Sequence, residues 1–416
     1  MKDQADDFID LSQRMSRLPP YLFGSINTLK AAKRRAGIDI IDMAMGNPTD
    51  ATPQPIVDKL CEVVNDARNH RYSSAAGLYN LRREVSKYYR KHWGVELDPE
   101  LEVMATIGSK EGFSHLCLAL LGPGDTALVP SPSFPIHAYA VVLAGGSYLG
   151  VPVSNDEQFL SQVSDISAHM SPRPKVLFLN YPHNPTAHCV EPDFFREVVA
   201  IARRHELIVV HDFAYGQVCF DDYQAPSFLA TPGAMDIGVE FTTMSKTFNM
   251  AGWRIGFCAG NSKIVGALGA IKGYYDYGIF QAIQIASIIG LRECDAFAEA
   301  QARKYQDRRD TLLDGLRRIG WAEIDVPRAG MFVWAKLPQR FRTMGSMEFA
   351  RRLMEDAEVA VSPGLGFGPE GEGCVRLALI ENRQRLLQAI RQIRRAFQKW
   401  PETSEVNPNP ADLGNQ

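Results

Sequence analysis

The 416-residue chain predicts an α/β fold with a large domain on a mostly parallel sheet, followed by a smaller α+β domain. Three observations lead there. From about Ile56 to Ile289, short β-branched or apolar runs alternate with helical patterns, the mark of strands joined by crossover helices. The alternation then stops: a long helical pattern from Arg292 to about Ile319 leads into two strand-like runs, M-F-V-W-A-K and C-V-R-L-A-L-I, with a helix after each. The length also exceeds what one core serves, at about 100–200 residues per domain.

Residues 1–45 combine a polar start, L-P-P-Y-L-F, a basic helical stretch Asn27–Arg35 and the apolar I-D-I-I-D-M-A-M. They predict an N-terminal arm that joins the smaller domain. Residues 46–290 form the large domain, with strands expected at Glu102–Thr106, Thr126–Pro130, Lys175–Asn180, Leu207–His211, Val239–Thr243 and Gly256–Ala259. Residues 291–400 form the small C-terminal domain. The stretch 401–416 is polar without hydrophobic periodicity, the composition of a disordered tail.

Composition narrows the function. With 45% hydrophobic and 22% charged residues and a net charge of −3, the chain has no broad basic field for nucleic acid or an anionic membrane, and a small-molecule substrate is expected. Its seven scattered cysteines form no C-x-x-C pair, which predicts reduced thiols, no metal site and a cytoplasmic location. The acidic start M-K-D-Q-A-D-D has no apolar core, so no secretory signal is expected.

In open α/β sheets ligands lie outside the carboxyl ends of the strands. Here K-V-L-F-L-N-Y-P-H-N-P-T ends at Asn180 and Asn184, L-I-V-V-H-D-F-A-Y at Asp212 and Tyr215, and V-E-F-T-T-M-S-K at Ser245 and Lys246. Each alone is an ordinary turn former, cap or solvated residue; together, an amide, an acid, a phenol and an amine at successive strand ends describe a reaction site. In I-G-S-K-E-G an apolar strand gives way at once to an apolar helix, and helix N–H groups there favour an anion. Gly108 permits the turn, Ser109 and Lys110 supply donors, and Ser245 and Arg254 flank Lys246 with more; Arg grips phosphate bidentately.

T-T-M-S-K-T-F-N-M-A-G-W-R-I-G resembles the lysine motif of class I/II, fold-type I aminotransferases, with the Arg eight residues after the Lys. N-Y-P-H-N-P-T, H-D-F-A-Y and C-V-R-L-A match other signatures of that family, so the resemblance runs from about Leu18 to about Phe397. L-P-P-Y-L-F, G-S-K-E-G, M-A-G-W-R-I-G-F and S-P-G-L-G-F-G are similar to bacterial glutamate–pyruvate (alanine) and diaminopimelate aminotransferases. Three positions depart from the pattern: Thr243 where Gly or Ser is commoner, Ala187 where Gly is usual, and Phe134 where the cofactor-stacking ring is often Tyr.

The resemblance implies pyridoxal 5′-phosphate as cofactor. Lys246 would carry it as a Schiff base and act as the catalytic base, Asp212 would pair with the pyridine nitrogen, and Phe134 would stack on the ring. Asn184 and Tyr215 would bond the ring oxygen; Ser109, Lys110, Ser245 and Arg254 would hold the phosphate, joined by Tyr72 from the partner subunit of a homodimer. Arg376 would clamp the substrate carboxylate, with Gly46 and Asn184 assisting and Tyr21 near the substrate side chain; Tyr275 and Tyr277 are further candidates for the side-chain pocket. The implied reaction moves an amino group between an amino acid, alanine first, and 2-oxoglutarate, giving pyruvate and glutamate. Diaminopimelate or aspartate as donor, or β-elimination on the same cofactor, are the alternatives. A DNA-binding regulator on this fold would need a helix-turn-helix module, which the first 45 residues do not supply.

A free lysine suits such a role poorly. With an ordinary pKa of about 10.4, roughly one in a few thousand is neutral at pH 7. Burial and a neighbouring cation such as Arg254 are therefore expected to lower it.

Overall fold

Twelve strands form three sheets in the computed structural model, which describes residues 11–18, 22–153 and 155–401. In chain order they are β1 (Ile41–Asp42), β2 (Val103–Thr106), β3 (Thr126–Ser131), β4 (Ser147–Pro152), β5 (Val176–Asn180) and β6 (Ile208–Asp212). There follow β7 (Gly238–Thr243), β8 (Gly256–Gly260), β9 (Phe332–Lys336), β10 (Val359–Ala360), β11 (Ser362–Pro363) and β12 (Cys374–Ala378). The expected tail beyond residue 401 and Tyr21 lie outside the described residues.

The main sheet has the order β2-β8-β7-β6-β5-β3-β4, parallel throughout except for β8, which runs against both neighbours. The apolar runs of β2, β3 and β5 are buried along their whole length, as strands covered by helices on both faces must be. Two apolar clusters flank the sheet, one built on Leu128, Leu177 and Val209, the other on Val129, Phe178, Val210 and Phe241.

Register decides which strand ends meet. Asn180 lies level with Asp212, and Asp212 with Phe241. Because β8 is antiparallel, its first residue, Gly256, pairs with the last residues of both β2 (Thr106) and β7 (Thr243). Ser109 is thereby delivered to the same end of the sheet as Ser245 and Arg254, more than 130 residues later.

A second core surrounds the antiparallel sheet β11-β12-β9, drawing Trp321, Phe341, Phe349, Phe397 and Trp400 together with Ile26, Ile40, Ile41, Met43 and Ala44 from the N-terminal side. The segment after β1 is stitched into it: Met43 donates to the Ala360 carbonyl at 2.9 Å and accepts from Ala378 at 2.8 Å. Residues 44–46 consequently run between the two sheets.

Some boundaries differ from expectation. β4 is an extra strand; its first three residues are exposed and it pairs only with β3, so an edge position with little burial left no apolar pattern to read. The helix expected over 292–319 is present as Asp295–Arg318, and a separate helix, Gln281–Glu293, precedes it across Cys294. The basic helix begins earlier, at Leu22. Among the described residues no helix is long and apolar enough to cross a membrane.

Candidate active site

A cavity of about 700 Å³ opens between the carboxyl ends of the main sheet and the smaller sheet. Lys246 enters it from a four-residue helical turn, Met244–Thr247, directly after β7. That turn is capped by Thr243, whose Oγ1 accepts from the Ser245 N–H at 3.1 Å and lies 3.0 Å from the Ile255 carbonyl oxygen. Thr243 at this position, as Ser would, supplies a hydroxyl N-cap to the lysine turn. Lys246 Nζ donates to the Gly46 carbonyl at 2.6 Å. Burial, with the positive charges of Arg376 and Arg254, lowers its ammonium to about 8, while the Asp212 carboxylate acts in the opposite direction.

Asp212 ends β6, one residue further than the sequence pattern placed the strand end. Its Oδ2 lies 3.0 Å from Nε2 of His137, a fully buried ring on the helix Pro135–Leu143. Its Oδ1 accepts from the Ala214 N–H at 3.3 Å. Asn180, at the end of the adjacent strand, donates to the Asp212 carbonyl at 2.8 Å and accepts from the Asn184 N–H at 2.9 Å, which fixes the loop carrying Asn184. In the same loop Ala187 has φ +57, which accounts for the usual Gly; a residue with a Cβ costs roughly 1–2 kcal/mol in that conformation. Burial raises the Tyr215 phenol above its ordinary range, partly countered by Arg376.

Ser109 and Lys110 open the helix Ser109–Leu120, with Gly108 as its N-cap. Gly108 has φ +72, a backbone geometry that demands glycine, and a Cβ there would lie 2.5 Å from Nη2 of Arg254 and displace the guanidinium. Arg254 is held in place by a 2.9 Å bond from Nη1 to the Ala251 carbonyl. Free helix N–H groups, two hydroxyls, an ammonium and a guanidinium converge as a cradle for a phosphate-sized anion.

Arg376 is a buried cation in the middle of β12. Nη1 donates to Asn184 Oδ1 at 2.7 Å, and Nη2 to the Ala44 carbonyl at 2.9 Å. Phe332 and Phe367 pack on the guanidinium at 4.0 and 4.5 Å from their ring centroids. A planar fork fixed in this way can receive a carboxylate without reorganising.

The structure therefore brings Gly46, Ser109, Lys110, Phe134, Asn184, Asp212, Tyr215, Ser245, Lys246, Arg254 and Arg376 to one cavity. Tyr72 is elsewhere: 85% exposed, against Tyr277 at 4.9 Å between ring centroids. The expectation that Tyr275 and Tyr277 line the side-chain pocket is not met within this chain: neither borders the cavity and both are exposed. Sequence reasoning missed His137 and the surroundings of Arg376, namely Phe332, Phe367 and Ser362. Spacing offered one signal for His137, three residues after Phe134 and so on the same helical face.

Fold and cavity together define a fold-type I aminotransferase, with a lowered lysine between a buried carboxylate and two arginines. The chain belongs to the aminotransferase class I and II family, which it matches over residues 38–393. It is similar to the glutamate–pyruvate aminotransferase of Escherichia coli K12, at 49% identity over 92% of this chain and 93% of that protein. It is similar at 40% identity to the LL-diaminopimelate aminotransferase of Moorella thermoacetica, over 93% and 98% of the two chains. Among solved structures, substrate-bound BacF from Bacillus subtilis superposes with a TM-score of 0.86 at 30% identity, covering 93% of this chain and 98% of that one. The family is pyridoxal-phosphate-dependent. The residues present fit that group: the anion cradle, where a Cβ at Gly108 would crowd Arg254, and the buried Asp212 carboxylate line the same cavity as Lys246.

Proposed function

We propose that the cavity binds pyridoxal 5′-phosphate through Lys246 and that the enzyme transfers an amino group from alanine to 2-oxoglutarate. The observation that carries the cofactor assignment is Lys246 itself, lowered to about 8 in a cavity that also presents Asp212 and Arg376. When bound, the cofactor supplies an electron sink for the pair left behind as the substrate α-proton departs. The chain supplies the rest. Asp212, held by His137, keeps a proton on the pyridine nitrogen through a charge-assisted hydrogen bond. Arg376 takes the substrate carboxylate in its fork, and Phe134 covers the ring face. Lys246, about one in ten neutral at pH 7 for a pKa near 8 rather than one in thousands, collects the α-proton and returns it.

Ser109, Lys110, Ser245 and Arg254 hold the phosphate in this reading, and Asn184 and Tyr215 the ring oxygen. Tyr72, exposed here, completes the phosphate site of a second copy in a homodimer with shared active sites, the commonest closed assembly being a two-fold dimer. Gly46, which lines the cavity, borders the substrate in this reading. All seven cysteines are free thiols, in keeping with the cytoplasm.

Support for alanine comes from the 49% identity to an enzyme named for glutamate and pyruvate, against 40% for the diaminopimelate enzyme. Steady-state kcat/KM for alanine, aspartate and diaminopimelate, each with 2-oxoglutarate, tests it. Alanine should lead; a tenfold advantage for either rival, about 1.4 kcal/mol in transition-state binding, overturns alanine as donor while leaving transamination intact.

A further inference from the structure

Beside the anion cradle lies an ion cluster around a buried lysine that the chemistry above does not use. Lys272, on the helix Ser262–Tyr275, is fully buried, with its ammonium 3.0 Å from Glu111 Oε1 and 3.0 Å from Asp276 Oδ2. His115 places Nδ1 2.5 Å from Glu111 Oε1. Glu111, His115 and Asp276 have the proximity of metal ligands, but the Lys272 ammonium already stands at hydrogen-bond distance from both carboxylates. A buried ammonium needs such partners, because an isolated charge would cost several kcal/mol.

Each carboxylate also grips a backbone, and the two grips lead in opposite directions. Glu111 Oε2 accepts from the Ile107 N–H at 2.7 Å, directly before Gly108 and Ser109. Asp276 Oδ1 accepts from the Gly278 N–H at 2.7 Å. Gly278, at φ +86, approaches the 72–75 segment so closely that a Cβ would lie 2.3 Å from the Ser74 carbonyl oxygen. Tyr277 packs on Tyr72, and buried Gln284 clamps the same two segments, donating to Ser73 Oγ at 2.9 Å and to the Ile279 carbonyl at 2.6 Å. A continuous path of short contacts therefore runs from the cradle that holds Ser109 to the exposed ring of Tyr72.

We propose that Glu111, Lys272 and Asp276 are positioning residues that fix the phosphate turn of one subunit and Tyr72, which serves the neighbouring subunit's phosphate, as a single piece, coupling the phosphate grip of the two active sites. The inference rests on the shared-site dimer proposed above. Neither carboxylate borders the cavity, so the effect is transmitted through the turn and the loop and not by contact with cofactor.

The test is a double-mutant cycle on cofactor affinity. Cofactor-free dimer is titrated with pyridoxal phosphate and, separately, with pyridoxal, which lacks the phosphate. Asp276→Ala should weaken pyridoxal phosphate at least fivefold and leave pyridoxal within twofold. Asp276→Asn, which keeps an acceptor for Gly278, should recover most of the loss. In a Tyr72→Phe background the Asp276→Ala effect should shrink to less than twofold. Equal losses for the two ligands would mark a merely structural role, and an unchanged factor in the Tyr72→Phe background would show that the path does not end at Tyr72; either overturns the inference. Should Asp276→Ala fail to fold, Glu111→Gln carries the same comparison from the other end. If the wild type binds no pyridoxal phosphate, this inference falls together with the cofactor reading; if it binds and the variants match it, the inference falls alone.

Discussion

His137 Nε2 stands 3.0 Å from Asp212 Oδ2, although 75 residues separate them. The ring is itself wedged in place, parallel to Phe178 at 6.4 Å and edge-on to Phe134 at 5.9 Å. An aspartate oriented from behind by a fixed ring cannot turn away from the cavity. His137→Gln should leave the fold intact but lower kcat/KM by the worth of one hydrogen bond to a charged group, about 1.5–3 kcal/mol. Steady-state rates beside a thermal melt decide it: a rate loss with an unchanged melting temperature is expected, and an unchanged rate would remove His137 from the site.

The lowered lysine has a pH signature. In the cofactor-free chain Lys246 titrates near 8, whereas an unfolded lysine titrates near its ordinary value of about 10.4. Only the neutral amine attacks an aldehyde, so the rate of cofactor rebinding should rise with pH and level off above about 8. Arg376→Ala, which removes the largest neighbouring positive influence, should move that midpoint upward. A midpoint unmoved in the variant would contradict the electrostatic account. For stability the sign is opposite to that of a paired lysine: the folded chain prefers the neutral form, so a penalty is fully present below about 8 and is relieved as pH rises towards the unfolded value. Denaturant midpoints of cofactor-free protein should accordingly increase over that window.

Arg376, on the small sheet, ties the carboxylate site to the segment after β1 through Ala44 and to the loop after β5 through Asn184. Arg376→Ala should weaken every α-amino and α-keto acid by about 2–5 kcal/mol, the scale for truncating one side of a buried charge pair. Arg376→Lys should restore little, since a point charge cannot replace a fork packed between two rings. The check is the KM and kcat/KM of several carboxylate substrates; selective loss for one of them would assign Arg376 to the side chain instead.

How far the sequence reached follows from where each residue sits. Lys246, Asp212 and Arg376 are polar intrusions at the ends or centres of apolar runs, and both fold class and cavity were legible because alternation of strand and helix places such ends on one side. His137 lies in a helix of apolar neighbours, and its spacing from Phe134, the one local signal, does not separate it from a packed core histidine; the tertiary fold makes its contact with Asp212. The strand β4 escaped because an edge strand paired on one side needs no burial pattern. Tyr275 and Tyr277 lie away from the cavity of their own chain for a related reason: the same amphipathic ring suits a pocket wall or an exposed surface, and only tertiary placement separates the two.

Tyr72 supplies the last prediction. It is 85% exposed on a segment that glycine and glutamine contacts hold rigidly, and it does not border the cavity of its own chain. An exposed aromatic pair such as Tyr72 with Tyr277, fixed and not floppy, suits a surface that meets another copy. If Tyr72 serves the neighbouring phosphate site, Tyr72→Ala and Lys246→Ala homodimers should each be impaired. Their hybrid contains one site with both residues intact, because Lys246 comes from the first variant and Tyr72 from the second. Mixing the two variants under conditions of subunit exchange should then raise activity towards half the wild-type value per hybrid. Size-exclusion chromatography with light scattering checks that hybrids form, through a mass-tagged subunit. Formation of hybrids with activity no greater than the average of the two parents would place Tyr72 outside the neighbouring site and leave its exposure to be explained by packing alone.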